Sequence, residues 1–178
     1  MKRTSTFVSF LLLSCSFLQL TQSFTQMKRT STNDLVDDVC KKTPNYNACR
    51  RTVDSNPQFV KNDTKDILFI ILDRIIKSGT SMLNYISILA NQTKDIELQL
   101  KYSNCANTYL SLVQHFIPSV IDFTKQKRYG SAIDRLIFDK KQIGRCTKQF
   151  NNSTLPLIVR NKRVQRWIDI AIAIVKQM

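Results

Sequence analysis

The sequence predicts an all-α fold: an up-down-up-down four-helix bundle, preceded by a helical hairpin and stapled by two disulfides. Three observations predict it. Only three glycines and four prolines punctuate 178 residues, too few for the turns of a sandwich or barrel. Apolar residues recur at helical spacing in four long stretches joined by short links. Four cysteines, Cys40, Cys49, Cys105 and Cys146, follow a hydrophobic leader, and an even set in a secreted chain is expected to form a disulfide framework.

The leader begins Met1-Lys2-Arg3, continues through an apolar run over residues 7–20 and ends Thr21-Gln22-Ser23. A basic start, a short apolar core and small polar residues before the cut describe a secretory signal peptide, cleaved near Ser23. The run is shorter than the roughly 20 apolar residues of a membrane anchor, and serines interrupt it. Cys15 leaves with the leader. Removal of residues 1–23 leaves 178 − 23 = 155 residues, enough for one domain with a real core. Residues 24–32 read as an N-terminal extension and residues 33–178 as the domain. The hexapeptide Met-Lys-Arg-Thr-Ser-Thr occurs at residues 1–6 and again at 27–32. A start at Met27 would yield an unsecreted form with reduced thiols; a duplicated leader fragment is the simpler reading.

Residues 34–40 and 48–53 read as short helices flanking the Thr43-Pro44-Asn45 turn. The first long helix is expected over residues 66–90, with Leu68, Ile71, Leu72, Ile75, Met82, Leu83 and Ile86 on one face. Thr64 is its expected cap and Gly79 a weak point inside it. The second carries Leu98, Tyr102, Cys105, Tyr109, Leu112, Phe116, Val120 and Phe123, a heptad-like stripe suited to a bundle seam. Pro118 within it predicts a kink. The third, over residues 129–150, places Ala132, Leu136, Ile143 and Phe150 on a weaker stripe. The fourth, over residues 157–176, has Val164, Trp167, Ile168, Ala171, Ile172 and Val175, with Ile170 and Ile174 widening the apolar face. This helix is expected to be the most buried. Short links make sequential helices antiparallel neighbours.

In that order Cys105 and Cys146 lie at similar distances on either side of the link at Lys127, hence at nearly the same height on adjacent helices. Pairing Cys105 with Cys146 and Cys40 with Cys49 is one of three possible connectivities, chosen on this geometry. A metal site built from the four thiols is disfavoured by the oxidising secretory route.

The leader carries Lys2 and Arg3 and no acid, so the mature charge is +14 − 2 = +12. Such a surface favours polyanions or acidic protein faces, or else serves only to keep the protein soluble. Outside the cell the expected polyanion is an acidic matrix polysaccharide rather than nucleic acid. The run from Arg160 to Arg166, with Lys162 and Arg163 between, reads as a solvated helix face or a site for such a polysaccharide. Acceptor sequences for N-glycosylation occur at Asn62, Asn91, Asn151 and Asn152. Catalysis has little support. The single histidine, His115, sits beside a core phenylalanine and reads as a surface or boundary residue. Asp37 with Asp38, and Asp134 with Asp139, read as exposed helix carboxylates rather than acid/base pairs. No phosphate loop, Ser/His/Asp set, cofactor motif or metal-ligand cluster is present in the sequence.

Four segments in order resemble the plant invertase and pectin methylesterase inhibitor family. They are Val39-Cys-Lys-Lys-Thr-Pro-Asn-Tyr-Asn-Ala-Cys49, Leu98-Gln-Leu-Lys-Tyr-Ser-Asn-Cys-Ala-Asn-Thr-Tyr109, Phe123-Thr-Lys-Gln-Lys-Arg-Tyr-Gly-Ser-Ala132 and Arg145-Cys-Thr-Lys-Gln-Phe150. The resemblance runs from about Asn33 to the C-terminus. It implies a four-helix bundle with an N-terminal hairpin, the same two disulfides, and a protein that is no enzyme but inhibits cell-wall or vacuolar enzymes by contact. Inhibitors of acid invertase place a Pro-Lys-Phe turn at the enzyme's acidic active site; the positions aligned here are Lys127, Arg128 and Tyr129. Basic and aromatic character survive, while lysine replaces the proline. Inhibitors of pectin methylesterase often carry an acid before the tyrosine of this turn, where this chain has Arg128. The acids that often follow the fourth cysteine are replaced by Thr147-Lys148-Gln149. The expectation is therefore a secreted inhibitor of acid invertase, in the apoplast or cell wall or else the vacuole. An inhibitor of pectin methylesterase is the first alternative, and a basic extracellular polyanion-binding protein without inhibitory activity the second.

Overall fold

The computed structural model describes residues 34–56, 62–150 and 155–178, and every regular element among them is helical. The leader, the repeated hexapeptide, Asn151 and Asn152 lie outside the described residues. Val36–Met178 form one compact unit. None of the described helices is long and apolar enough to cross a membrane.

Two short helices, α1 (residues 34–41) and α2 (Tyr46–Asp54), make the expected hairpin. Its turn is closed from inside: the amide and hydroxyl of Thr43 both donate to the Cys40 carbonyl, at 3.0 and 2.8 Å. Asn45 caps α2 by accepting from the Ala48 amide at 3.0 Å. The Cys40–Cys49 disulfide spans the hairpin with its Cα atoms 5.6 Å apart. Asp37 accepts from the Tyr46 hydroxyl and pairs with Lys41 and Arg50. These partners, Lys41 first, hold its carboxyl below the usual range. At the other end of the chain, Gln177 Nε2 donates to the Val39 carbonyl at 3.2 Å and ties the C-terminal turn to the hairpin.

The first bundle helix, α3 (Thr64–Gln92), begins two residues earlier than the periodicity predicts. Its cap is Asp63, which accepts from the Asp66 amide at 2.9 Å; Thr64 is already helical. A carboxylate also suits the positive end of the helix dipole. Ile67, Leu68, Ile71, Leu72, Ile75, Met82 and Ile86 are buried, while Leu83 is half-buried. Gly79 is a point of close approach rather than a weakness. A Cβ there would stand 2.9 Å from Val113 Cγ2 and 3.4 Å from Leu112 Cδ2.

Those two residues open an unusual stretch. Helix α4 (Ile96–Ser111) passes into a π-helical turn over Leu112–Phe116 and continues as α5 (Ile117–Lys125). The Ile117 amide bonds to the Leu112 carbonyl, five residues back. Pro118 lacks an amide and its ring crowds the preceding turn, so the expected disturbance takes the form of a π turn. The extra residue rotates everything beyond it. Tyr102, Cys105, Tyr109 and Leu112 are buried as expected, but Ile117, Val120 and Thr124 follow; Phe116 and Phe123 are only half-buried.

Helix α6 (Tyr129–Lys148) buries Ala132, Leu136, Ile143 and Cys146, and also Asp139. Helix α7 (Leu155–Val175) buries Leu157, Val164, Trp167, Ile168, Ile170, Ala171, Ile174 and Val175, with Ile172 half-buried. α3 packs on α4 and α7, and α6 packs on α5, α4 and α7, which closes the four-membered ring. The Cys105–Cys146 disulfide joins α4 to α6 with Cα atoms 5.0 Å apart, the connectivity that matched heights imply.

Candidate functional site

The link between α5 and α6 carries the predicted target-binding residues. Gln126 ends α5, and the Lys127 and Arg128 amides fold back to the Thr124 and Phe123 carbonyls, at 3.0 and 2.8 Å. This pair of bonds is a Schellman motif, which satisfies the last carbonyls of the helix. It requires a left-handed residue at its centre, and Lys127 supplies it with φ 58°. Glycine is the usual occupant, because a Cβ there costs about 1 kcal/mol. Proline, fixed near φ −65°, is incompatible with this conformation. Lysine in place of proline therefore gives a differently built turn rather than a looser one.

The motif is usually sealed by an apolar contact between the residues on its two sides. Here the Arg128 guanidinium lies over the Phe123 ring, 4.8 Å from its centroid. Phe123, displaced from the core by the π turn, thus becomes the platform for Arg128. The Arg128 carbonyl accepts from the Ala132 amide and starts α6, and its Nη2 reaches Ser131 Oγ at 3.5 Å. Lys127 and Arg128 are exposed and Tyr129 is half-buried. The three residues thus form one short basic-aromatic prominence between two helix ends.

Other sequence candidates disperse. His115 is exposed on the π turn, and Asp38 and Asp134 are exposed on their helices. Asp139 departs from expectation: it is 1% exposed. Its Oδ1 accepts from Arg135 Nε at 3.0 Å, while Oδ2 is buried without a hydrogen-bond partner. Burial raises its carboxyl to about 6, against the opposing pull of Arg135. Arg135 is itself held over the Phe116 ring at 3.6 Å and the Phe138 ring at 5.0 Å. Asn62 and Asn91, the described glycosylation acceptors, are exposed at opposite ends of α3.

A buried polar connection was not apparent in the sequence. Asn161, inside the basic run of α7, is 1% exposed; it accepts from the Tyr109 hydroxyl at 2.5 Å and donates to Thr147 Oγ1 at 3.0 Å. One amide thereby links α4, α6 and α7 beside the Cys105–Cys146 bridge. The cations of that run face outward: Arg160, Lys162, Arg163 and Arg166 are exposed.

Comparison with known proteins follows the same architecture. A family model described as plant invertase/pectin methylesterase inhibitor matches residues 34–174. The chain is similar to the cell wall / vacuolar inhibitor of fructosidase 1 of Arabidopsis thaliana, 26% identical over 144 residues that span 81% of this chain and 69% of that protein. It is similar also to a pectinesterase inhibitor of Actinidia deliciosa, 27% identical over 135 residues, 72% of this chain and 71% of the relative. Two crystal structures of a pectin methylesterase inhibitor from Arabidopsis share the fold. A mutant form has a TM-score of 0.62 at 14% identity, covering 79% of this chain and 94% of its own. The second has a TM-score of 0.58 at 16% identity, covering 79% and 93%.

Proposed function

Since the chain belongs to the plant invertase/pectin methylesterase inhibitor family, we propose that it is a secreted inhibitor of an acid invertase, a β-fructofuranosidase, which it blocks by protein–protein contact at the active site. The observation that carries this reading is the exposed Arg128, propped on Phe123 at the tip of the α5–α6 turn. Glycoside hydrolases generally work with two carboxyl groups flanking the scissile bond. A guanidinium can engage a carboxylate through two parallel N–H···O bonds, with a geometry that an ammonium cannot copy. Stacking on Phe123 limits the rotamers Arg128 must give up on binding, which lowers the cost of ordering it. Lys127 adds a second positive charge, and Tyr129 supplies aromatic area at the root of the turn.

Residues 1–23 are a cleaved leader in this reading, with the protein in the apoplast or cell wall, or in the vacuole. Exposed Asn62 and Asn91 then meet the glycosylation machinery, as do Asn151 and Asn152. Likeness to the Actinidia deliciosa pectinesterase inhibitor, at 27% identity, supports a second reading in which pectin methylesterase is the target.

Titration of purified acid invertase and pectin methylesterase with the oxidised protein tests both. Inhibition of invertase is expected, and inhibition of pectin methylesterase alone moves the assignment to the second reading. Inhibition of neither removes both and leaves polyanion binding without inhibition. Arg128→Ala and Tyr129→Ala should each weaken invertase inhibition by roughly 30-fold or more, the effect of losing about 2 kcal/mol at an interface anchor. Unchanged inhibition in both variants would exclude this turn as the anchor.

A further inference from the structure

A second positively charged feature lies on α2, α3 and α7, and no residue of the α5–α6 turn lines it. Arg74 and Lys77 of α3 face Arg160 and Arg163 of α7 across a cleft of about 150 Å³. Ser78 and Ser81 add hydroxyls to its wall. Beside it a hollow of about 570 Å³ shares Arg74 and Lys77 and is lined also by Asp73, Trp167 and Arg51 of α2. A further depression beside Trp167 shares Arg51, Arg74 and Arg163 and adds Arg166. Six exposed cations thus border three adjoining depressions, all of which share Arg74, here taken together as a channel.

One acid, Asp73, lines the hollow against these six cations, so positive charge stays in excess. All 13 acidic residues of the sequence lie in the described part. Only Lys77 among the six cations pairs with one of them, Asp73 at 2.7 Å. Arg51 spends its Nε on the Asn47 carbonyl at 3.1 Å. Arg74 lies over Trp167, 5.5 Å from the ring centroid, and Arg160 over Tyr85 at 4.5 Å. Stacking fixes a guanidinium plane while leaving its N–H edge for an oxyanion. Along α7, Arg160, Arg163 and Arg166 recur every third residue, a rise of about 4.5 Å per step and about 9 Å in all.

We propose that this channel binds a linear acidic polysaccharide through its carboxylates. Cations stepping along and around α7 suit an extended chain bearing one carboxylate per sugar. The hydroxyls of Ser78 and Ser81 suit the sugar body between charges. An acidic protein face, being convex or flat, would leave Ser78, Ser81 and the Arg74–Trp167 stack without contacts. The polysaccharide class rests on the secretory reading given above; the channel itself is independent of the inhibitory turn. Its role would be to hold the inhibitor on the wall matrix while Arg128 remains free for the enzyme.

The test uses the full mature protein and a de-esterified oligogalacturonate as probe, with binding followed by calorimetry at low and high salt. Binding is expected at low salt and should weaken steeply as salt rises, because the contacts are exposed charges. Arg74→Gln with Arg163→Gln should weaken it at least about tenfold, the loss of roughly one charge-assisted hydrogen bond. Lys94→Gln with Lys101→Gln, an equal charge change away from the channel, should change it less than about twofold. Equal losses in the two double variants would overturn the site, leaving only diffuse attraction. Absence of binding, or tighter binding of polyglutamate or single-stranded RNA than of the oligogalacturonate, would overturn the ligand class. Enzyme inhibition by the Arg74/Arg163 variant is measured in parallel. Retained inhibition with lost glycan binding separates the two sites, whereas lost inhibition with retained glycan binding would overturn the proposal and place these cations in the enzyme interface instead.

Discussion

Asp139 shows how one buried carboxyl can set the acid response of the bundle. Its folded-state pKa of about 6 lies above the ordinary 3.8, and desolvation is the main cause. Between those values the folded state holds a proton that the unfolded chain releases, so stability falls as pH rises. The group penalises the fold fully above about pH 6 and hardly at all below about pH 4, a span of roughly 2–3 kcal/mol. Thermal melts across this window should show the wild type losing stability toward neutrality. Asp139→Asn should flatten that contribution, and an unchanged slope would assign it elsewhere. The substitution keeps an acceptor for Arg135, which limits the structural loss. The sequence hid this residue, because an aspartate within a weakly patterned helix looks solvent-facing. Asn161 was hidden for the same reason, surrounded by arginines and lysine on a helix whose other polar residues do face water. Tyr109 was legible as a core residue, but nothing local marks where its hydroxyl points.

At the scale of elements, helix existence was plain and phase was not. Period-3.6 patterning locates all four long helices because a bundle needs one apolar stripe on each. A π turn adds one residue to that count, and no pattern built on a constant period anticipates it. Phe116 and Phe123 were therefore assigned to the seam that Ile117 and Thr124 occupy. Pro118 signalled trouble at the right place without saying which form it takes. Gly79 on the facing helix then makes sense as the flat surface against which Leu112 and Val113 fit. The α5–α6 turn was equally opaque, since lysine at a left-handed position breaks the usual glycine rule. Lys127→Gly should relieve that strain and raise stability by about 1 kcal/mol, read as a higher midpoint in chemical denaturation. A lower midpoint would mean that the lysine side chain is held by contacts that offset its backbone cost. The same variant, retaining Arg128, separates turn geometry from turn charge in the inhibition assay.

Over the whole molecule, cysteine spacing and helix order gave the correct connectivity because both bridges join neighbours in the up-down order. The two disulfides differ in what they constrain. Cys40–Cys49 closes a loop with a sequence separation of 9, and Cys105–Cys146 one of 41. In the chain-entropy account these contribute about 2–3 and about 4 kcal/mol, respectively. Replacing Cys105 and Cys146 together by serine should therefore destabilise the oxidised protein more than replacing Cys40 and Cys49. Paired urea titrations measure the difference, and the reverse order would show that the hairpin, anchored by Gln177, matters more than loop length. The target could not be read from helix periodicity or cysteine count. It depends on a few exposed side chains that packing leaves unconstrained.

The longer of these loops has a further consequence for durability against proteases. The α5–α6 turn sits inside the segment that Cys105–Cys146 closes, and it offers consecutive lysine and arginine bonds to trypsin-like proteases. A cut after Lys127 or Arg128 would open the turn without releasing either half, because the bridge still spans the break. The nicked protein would migrate as one species until reduced. A protease can thus blunt the proposed inhibitory tip while the basic channel on α2, α3 and α7 stays attached to the same particle.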